Sequence, residues 1–351
     1  MTFYQELQLN AAGSKALIRG AKTAGEKARH TAVYIFKVFL TVAFCVAFVL
    51  AYSSVFGSDN SIVGVVVLLC VMVFRNVDLG MHVPHSLFSL GAIFLILTAG
   101  PKLANVCGPF GGLAVNLVCI WILMVLGCHN ILYYNHSTLL LGYLLLYGYD
   151  ASGHGYAMRV AAMALGYVLT GAVFWRNHRH REYKRGLKEV LKDFDLHSSR
   201  SRWQLLMAAG VSTVMFIAVF LKMPRAVWAG IAAMSVMLPF REDIKKRVRG
   251  RIWGNLLGGA LFLAVYTLFP DSLRGLIGIV GGIGVGFSAA YGWQAVFNSM
   301  GAMSIAVGLL GVPGAIFFRI FYNVFGSLYA LLFEKLFHRM MDRMLNMEAA
   351  A

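Results

Sequence analysis

The chain has 351 residues, of which 59% are hydrophobic and only 13% are charged. Its Lys and Arg residues exceed its Asp and Glu residues by 16 charges, and its mean hydropathy is +0.70. The polar residues are too few to cover the surface of soluble domains of this total size. A soluble enzyme is therefore excluded. A nucleic-acid-binding protein is excluded as well, because the basic excess accompanies long apolar runs that would have to meet water. The composition predicts a membrane protein.

Residues 1–30 are polar and carry five Lys or Arg residues before the first long apolar run. They lack the pattern of a cleavable signal peptide. We predict a cytoplasmic N-terminal arm that is partly helical on the membrane face.

Twelve apolar runs follow, and most approach the ~20 residues with which a helix crosses about 30 Å of hydrocarbon. The runs are 31–52, 60–74, 82–100, 105–127, 129–148, 154–175, 203–221, 224–240, 250–269, 273–290, 293–310 and 314–336. We therefore predict an all-α polytopic membrane protein with about twelve transmembrane helices. The shorter runs are alternatively buried or re-entrant helices.

Basic residues in the short loops predict the orientation. With the N-terminus inside, 24 of the 31 Lys and Arg residues fall on one side of the membrane. We expect a multi-pass protein of the cell (inner) membrane with both termini cytoplasmic. The basic cytoplasmic loops are expected to contact anionic lipids.

The runs divide into two sets of six that share positions at an offset of about 160 to 167 residues. The matching pairs are Gly64 with Gly230, Phe74-Arg75 with Phe240-Arg241, Arg159 with Arg319, and Gly166 with Gly326. An even number of helices gives both sets the same orientation, which predicts two parallel six-helix repeats. The predicted regions are the arm 1–30, repeat 31–175, basic linker 176–202, repeat 203–336 and cytoplasmic tail 337–351.

The second repeat contains a characteristic series of residues. Its members are Pro224-Arg225-Ala226-Val227-Trp228-Ala229-Gly230, Leu238-Pro239, Arg247, Arg251, Gly254, Gly258-Gly259, Arg319, Asn323 and Gly326. This series resembles the fusaric-acid-resistance-like family and the related aromatic acid exporters and aluminium-activated malate transporters. The match is good over about 220–330 and looser over about 31–175. The resemblance implies a membrane protein that handles organic anions, often aromatic or carboxylate.

Arg159 and Arg319 lie about five residues inside equivalent helices. A charge at mid-bilayer costs at least about 2.5 kcal/mol unless it is paired or hydrated. A pseudo-twofold axis would bring the two guanidinium groups toward one centre, where planar Arg donors bind carboxylate in a bidentate way. The alternative is that each arginine snorkels to the headgroups or caps a neighbouring helix.

Four further residues are candidates for substrate binding. Arg251 is the deepest arginine of a basic stretch and is predicted to face an inner vestibule that attracts anions. Asn323 and Trp228 are candidates to line the pathway, with interhelical hydrogen bonding and interfacial anchoring as the ordinary alternatives. Lys37 lies within the first helix, where snorkelling is the alternative to a binding role.

The sequence predicts no cofactor and no metal site, because no His, Cys, Asp or Glu cluster has ligand spacing. The glycine-rich segment around Gly284 lies inside an apolar run without a preceding strand, which argues against a dinucleotide site. Helix packing by Gly278, Gly282 and Gly286 is expected instead. No catalytic constellation is evident, so we do not expect an enzyme.

The predicted function is a transporter, most simply an exporter, of organic carboxylate anions through a basic central pathway. One alternative is a passive anion channel of the malate-channel type. Another is a membrane scaffold or lipid-binding protein that transports nothing. The expected partners are the organic anion and anionic lipids, without nucleic acid, and a homo-oligomer is left open.

Overall fold

The computed structural model describes residues 1–239 and 244–350, and these residues form helices and no strand. The α-helices are α1 (Phe3–Gln8), α2 (Ala11–Arg19), α3 (Ala24–Phe56), α4 (Ser61–Phe74), α5 (Val83–Val106), α6 (Gly108–Gly127), α7 (His136–Gly148), α8 (Gly153–His178), α9 (Leu187–Lys192), α10 (Ser199–Phe220), α11 (Val227–Val236), α12 (Ile244–Leu268), α13 (Ile277–Gly286) and α14 (Tyr291–Ala350). Within α14, Gly311 has φ 66° and ψ 172°, and Pro313 follows it, so α14 consists of two helices joined at a kink. The predicted all-helical class is confirmed.

Seven of the described helices are long and apolar enough to cross a membrane: α3, α5, α6, α8, α10, α12 and α14. Large apolar side chains on them, such as Leu50, Phe110 and Phe317, are exposed. A helix pairs its own backbone groups, so such outward faces are stable in hydrocarbon but not in water. The protein is therefore a multi-pass membrane protein.

The expectation of about twelve full-length spanning helices exceeds these seven. Each predicted run contains a described helix, but four runs form the shorter helices α4, α7, α11 and α13, and α14 holds two runs. Helices α11 and α13 have only ten residues each, which at 1.5 Å per residue is about 15 Å, half of the hydrocarbon thickness. Arg225, with φ 58°, stands just before α11 and shortens it.

The described chain separates into two compact units. The first comprises Met1–Ala47 and Lys245–Val324, and the second comprises Phe48–Ile244 and Phe325–Ala351. In the first unit, the hydroxyl of Tyr34 donates to Gly286 O at 3.1 Å and thereby joins α3 to the end of α13. In the second unit, α4 packs against α7 and α8, and α10 packs along α6 and against α11.

Helices α4 and α11 have corresponding surroundings in the second unit. A Cβ on Gly64 of α4 would lie 2.9 Å from Tyr52 Cβ on the preceding helix α3. A Cβ on Gly230 of α11 would lie 2.9 Å from Met215 Cγ on the preceding helix α10. Both short helices therefore use a glycine at the predicted equivalent position to approach the helix before them.

The same two helices are also approached by the last helix of each predicted half. A Cβ on Gly166 of α8 would overlap Val67 of α4. A Cβ on Gly326 of α14 would lie 2.7 Å from both Ala229 O and Ala232 Cβ of α11. Residues 240 and 241, which belong to another predicted pair, lie outside the described residues.

The predicted packing face of α13 is wrong at two of its three glycines. A Cβ on Gly278 or Gly282 would meet no atom within 4 Å, whereas one on Gly286 would lie 2.7 Å from Val38 Cγ1. The close contact with α14 is made instead by Gly281, whose Cβ would lie 2.8 Å from Phe297 O. All-apolar helices offer no polarity difference that reveals which face packs.

Candidate functional site

A cluster of polar side chains lies between α12 and α14 in the first unit. It consists of Arg251 and Asn255 from α12 and Tyr291, Ser299 and Asn323 from α14, and we call it the Arg251 cluster. The guanidinium Nε of Arg251 donates to Asn323 Oδ1 at 2.6 Å, and Nη1 donates to the Tyr291 hydroxyl at 2.8 Å. Two residues that the sequence singles out separately, Arg251 and Asn323, are thus in direct contact across 72 positions of the chain.

Each asparagine of the Arg251 cluster is held by its own helix. The amide nitrogen of Asn323 donates to Arg319 O at 2.6 Å, and that of Asn255 donates to Arg251 O at 2.7 Å. Both amide oxygens therefore point to a partner: Asn323 to Arg251, and Asn255 to the Ser299 hydroxyl, which donates at 2.5 Å. This bonding orients the two amides and fixes the face of each helix that carries polar groups.

Glycines on α12 allow α12 and α14 to pack in close contact. A Cβ on Gly254 would lie 2.6 Å from Gly292 O, and a Cβ on Gly258 would lie 2.7 Å from Val296 O. The two glycines are four residues apart and form a small-residue stripe against the first part of α14. The stripe brings Arg251, one turn before Asn255, next to Tyr291 at the start of α14.

The Arg251 cluster is basic and buried. Arg251 is 7% exposed and Arg319, one helical turn before Asn323, is 6% exposed. Arg247, one turn before Arg251, stacks over the Tyr291 ring with its guanidinium carbon 4.7 Å from the ring centroid. Arginine remains charged at any accessible pH and presents donors that match a carboxylate, so this arrangement suits recognition of an organic anion.

Arg159 has different surroundings, in the second unit. Its side chain, 2% exposed, donates from Nε to Asn60 Oδ1 at 3.1 Å and from Nη2 to Tyr149 O at 2.7 Å. Longer hydrogen bonds of 3.4 Å reach Leu146 O and Asp59 O. Most of these acceptors are backbone carbonyls at the end of α7 and just before α4, so the contacts favour the helix-capping alternative. Substrate binding by Arg159 stays a prediction.

The substitution Arg159→Gln is expected to destabilise the protein by about 2–3 kcal/mol, because buried carbonyls would lose charged donors. Thermal unfolding of the purified protein in detergent measures this loss. The control is Arg179→Gln, because Arg179 is exposed and stacks on Trp175 with its guanidinium carbon 4.9 Å from the ring centroid. Equal stability of both variants would contradict a capping role.

Lys37 holds the N-terminal arm within the first unit. Its Nζ donates to Leu9 O at 2.8 Å and to the Ser14 hydroxyl, and it lies 5.0 Å from the centroid of the Tyr34 ring. These contacts explain the presence of a lysine in α3 without a role in substrate binding. A substrate-binding role for Lys37 stays a prediction.

The buried carboxylate of Glu6 makes a second contact between the arm and α3. It accepts from Arg29 Nη2 at 2.7 Å and lies 2.9 Å from His30 Nδ1. The hydrogen bond with His30, together with that of Arg29, holds the pKa of the Glu6 carboxyl below its ordinary value despite burial.

Trp228 is buried in α11 of the second unit, at 4% exposure. In the first unit, the structure brings two of the six predicted residues, Arg251 and Asn323, into direct contact, and Arg319 is joined to them through its backbone oxygen, which accepts from Asn323. Among the described residues, no group of three His, Cys, Asp or Glu side chains has the arrangement of metal ligands.

Part of the chain matches a known family. Residues 212–333 match the family model described as fusaric acid resistance protein-like. Trp228, Arg251, Arg319 and Asn323 lie inside the matched segment, so the resemblance predicted from the sequence is confirmed for this part of the chain. Searches of the curated proteins and of the solved structures found no match.

Proposed function

Because residues 212–333 are fusaric acid resistance protein-like in sequence, we propose that the protein is a transporter that exports organic carboxylate anions, including aromatic ones. The family match and the seven apolar helices support a transporter-type membrane protein. The observation that carries organic carboxylate anions as the substrate class is the Arg251 cluster. It places a buried guanidinium in contact with the Asn323 amide oxygen and the Tyr291 hydroxyl inside apolar helices.

An anion would bind by exchanging hydrogen bonds at Arg251. The amide oxygen of Asn323 and the hydroxyl of Tyr291 are neutral acceptors, and a carboxylate is a stronger acceptor for guanidinium than either. Their contacts hold the side chain in position before substrate arrives, which lowers the ordering cost of binding. Arg247, stacked on the Tyr291 ring, adds positive potential on the predicted cytoplasmic approach.

An aromatic ring within the Arg251 cluster supports an aromatic substrate. The Tyr291 hydroxyl accepts from Arg251 at 2.8 Å, so the Tyr291 side chain lies next to the guanidinium. Its ring would pack against an aromatic anion whose carboxylate binds there.

The proposed architecture is two parallel repeats with both termini cytoplasmic in the inner membrane. The matching glycine contacts of α4 and α11 support the repeat. In this arrangement Arg319 is a second basic station beside Asn323, and Arg159 is its equivalent in the first repeat. Anionic lipids would contact the basic cytoplasmic loops.

Flux measurements test the proposed function. Purified protein in liposomes should catalyse saturable exchange of labelled 4-hydroxybenzoate or benzoate, while empty liposomes and labelled choline serve as controls. Current recordings separate the channel alternative, because a channel gives a reversal potential that follows the anion gradient and a carrier saturates at low turnover. Correctly folded protein that moves none of these anions would contradict the proposal and favour a scaffold or lipid-binding role.

A further inference from the structure

A second basic region lies in the second unit, at the ends of membrane-spanning helices. It is a cavity of about 650 Å³ built by the first turn of α10, which carries Arg200, and by three connecting segments: the one after α4, the one between α6 and α7, and the one between α8 and α10. Its walls are Asp78, Gly80, His129, Asn130, Ile131, Leu132, Glu182, Tyr183, Lys184, Arg185 and Arg200. All three segments belong to the side of the membrane predicted to be cytoplasmic.

Two arginines converge on one imidazole nitrogen in this cavity. Arg185 Nη1 lies 2.9 Å and Arg200 Nη1 lies 3.5 Å from His129 Nε2. Because a guanidinium only donates hydrogen bonds, Nε2 must be the acceptor, which requires a neutral ring with its proton on Nδ1. Burial, and then the charges of Arg200 and Arg185, lower the pKa of His129 and keep the ring neutral. A neutral acceptor thus gathers two guanidinium groups without cancelling their charge.

The neighbouring carboxylates compensate only part of this positive charge. Asp193 Oδ2 accepts from Arg185 at 3.1 Å, whereas Arg200 Nη2 donates to the backbone oxygen of Asp193 at 2.7 Å. Asp78 is engaged by Arg181 at 2.6 Å, and the exposed carboxylate of Glu182 is a further wall group. Lys184 is exposed at the cavity wall. Within the described residues, Nε and Nη2 of Arg185 and Nε of Arg200 make no hydrogen bond to the protein, so these nitrogens can donate to a ligand.

We infer that this cavity binds a phosphate group, with Arg185, Arg200 and Lys184 as its ligands. Three cationic side chains around one space suit a dianion with several acceptor oxygens, whereas a single carboxylate would use one guanidinium. A phosphate monoester can arrive as a lipid headgroup or as a free anion, and the chemistry of recognition is the same for both. The cavity shares no residue with the Arg251 cluster, so the inference does not depend on the proposed function.

The test measures binding to the full-length protein in detergent. One arm uses inorganic phosphate in calorimetric titration, and the other uses fluorescent short-chain phosphatidic acid in the same detergent. The double variant R185Q/R200Q should weaken binding by about tenfold or more, since charge-assisted hydrogen bonds are lost. The matched control K188Q/K192Q removes the same charge from exposed residues of the same connecting segment and should change affinity less than about twofold.

A third variant distinguishes loss of phosphate binding from misfolding of the double variant. Lys184→Gln changes an exposed wall residue and should weaken binding by about threefold with normal thermal stability. Binding of phosphate alone would identify a free anion as the ligand, and binding of phosphatidic acid alone would identify a lipid headgroup. The inference is wrong if wild-type protein binds neither probe, or if K188Q/K192Q weakens binding as much as R185Q/R200Q does.

Discussion

Arg251→Gln is expected to lower the flux of carboxylate anions by about tenfold or more while the protein remains folded. Glutamine retains donors for Asn323 and Tyr291 but lacks the charge. A charge-assisted hydrogen bond to carboxylate is stronger than a neutral one, and the difference in free energy corresponds to about a tenfold change. Initial rates of labelled benzoate exchange in liposomes measure the effect, and size-exclusion profiles and thermal unfolding check the fold.

The matched control is Arg249→Gln, which removes the same charge from an exposed position two residues away on α12. Its flux should stay within about twofold of wild type, because exposed charges are screened by solvent and salt. If both variants lose flux equally, Arg251 acts only through the overall positive potential of this region. The specific role of the Arg251 cluster would then be refuted.

A second substitution tests the same contact from its other side. Asn323→Asp places a carboxylate 2.6 Å from Arg251 Nε, where the amide oxygen now lies. This internal carboxylate should compete with the substrate and lower flux although Arg251 is unchanged. Asn323→Ser keeps a hydroxyl acceptor and no charge, and should retain more flux than the aspartate variant. The reverse order would contradict anion binding at this guanidinium.

The Arg251 cluster was partly predictable from the sequence. Arg251 was a candidate as the deepest arginine of a basic stretch, and Asn323 was a candidate as a polar side chain within an apolar run. The participation of Ser299 was not predictable, because serine is common in membrane helices and its partner lies 44 positions away. The hydrogen bond of Tyr291 was not predictable either, because it depends on how α12 and α14 cross.

The limits of the sequence are clearest at Arg159 and Arg319. Their spacing to Gly166 and Gly326 is identical, which predicts the same role for both. Arg159 nevertheless bonds to carbonyls at the ends of neighbouring helices, and Arg319 precedes an asparagine that binds Arg251. A position within a helix is set by the sequence pattern, but the available acceptors depend on where the neighbouring helices end.

Helix ends are the second feature that the sequence did not reveal. Each of the twelve apolar runs contains a helix in its described residues, since hydrocarbon enforces internal backbone pairing. Hydropathy does not distinguish a ten-residue helix with apolar flanks from a full crossing, so α11 and α13 were expected to be longer. The backbone signals are local, as at Arg225, whose φ of 58° is unusual for a residue other than glycine.

The glycines that approach α4 and α11 provide the strongest stability prediction. Gly326→Ala is expected to destabilise the protein by about 2–3 kcal/mol, because its Cβ would press on Ala229 O, and a backbone atom yields less than a flexible side chain. Gly308→Ala is the control, in the part of α14 that precedes the kink: its Cβ would meet no atom within 4 Å, so stability should be nearly unchanged. Thermal unfolding in detergent compares the two variants.

The equivalent substitution Gly166→Ala should also destabilise, but for a reason that can be relieved. Its Cβ would overlap the side chain of Val67, so adding Val67→Ala should recover part of the loss, and a double-mutant cycle measures the coupling. At Gly326 the obstacle includes a backbone oxygen, so Ala232→Gly should recover less. If Gly166→Ala and Gly326→Ala were both tolerated, close approach of the last helix to α4 and α11 would not be required. The glycine contacts would then no longer support two equivalent repeats.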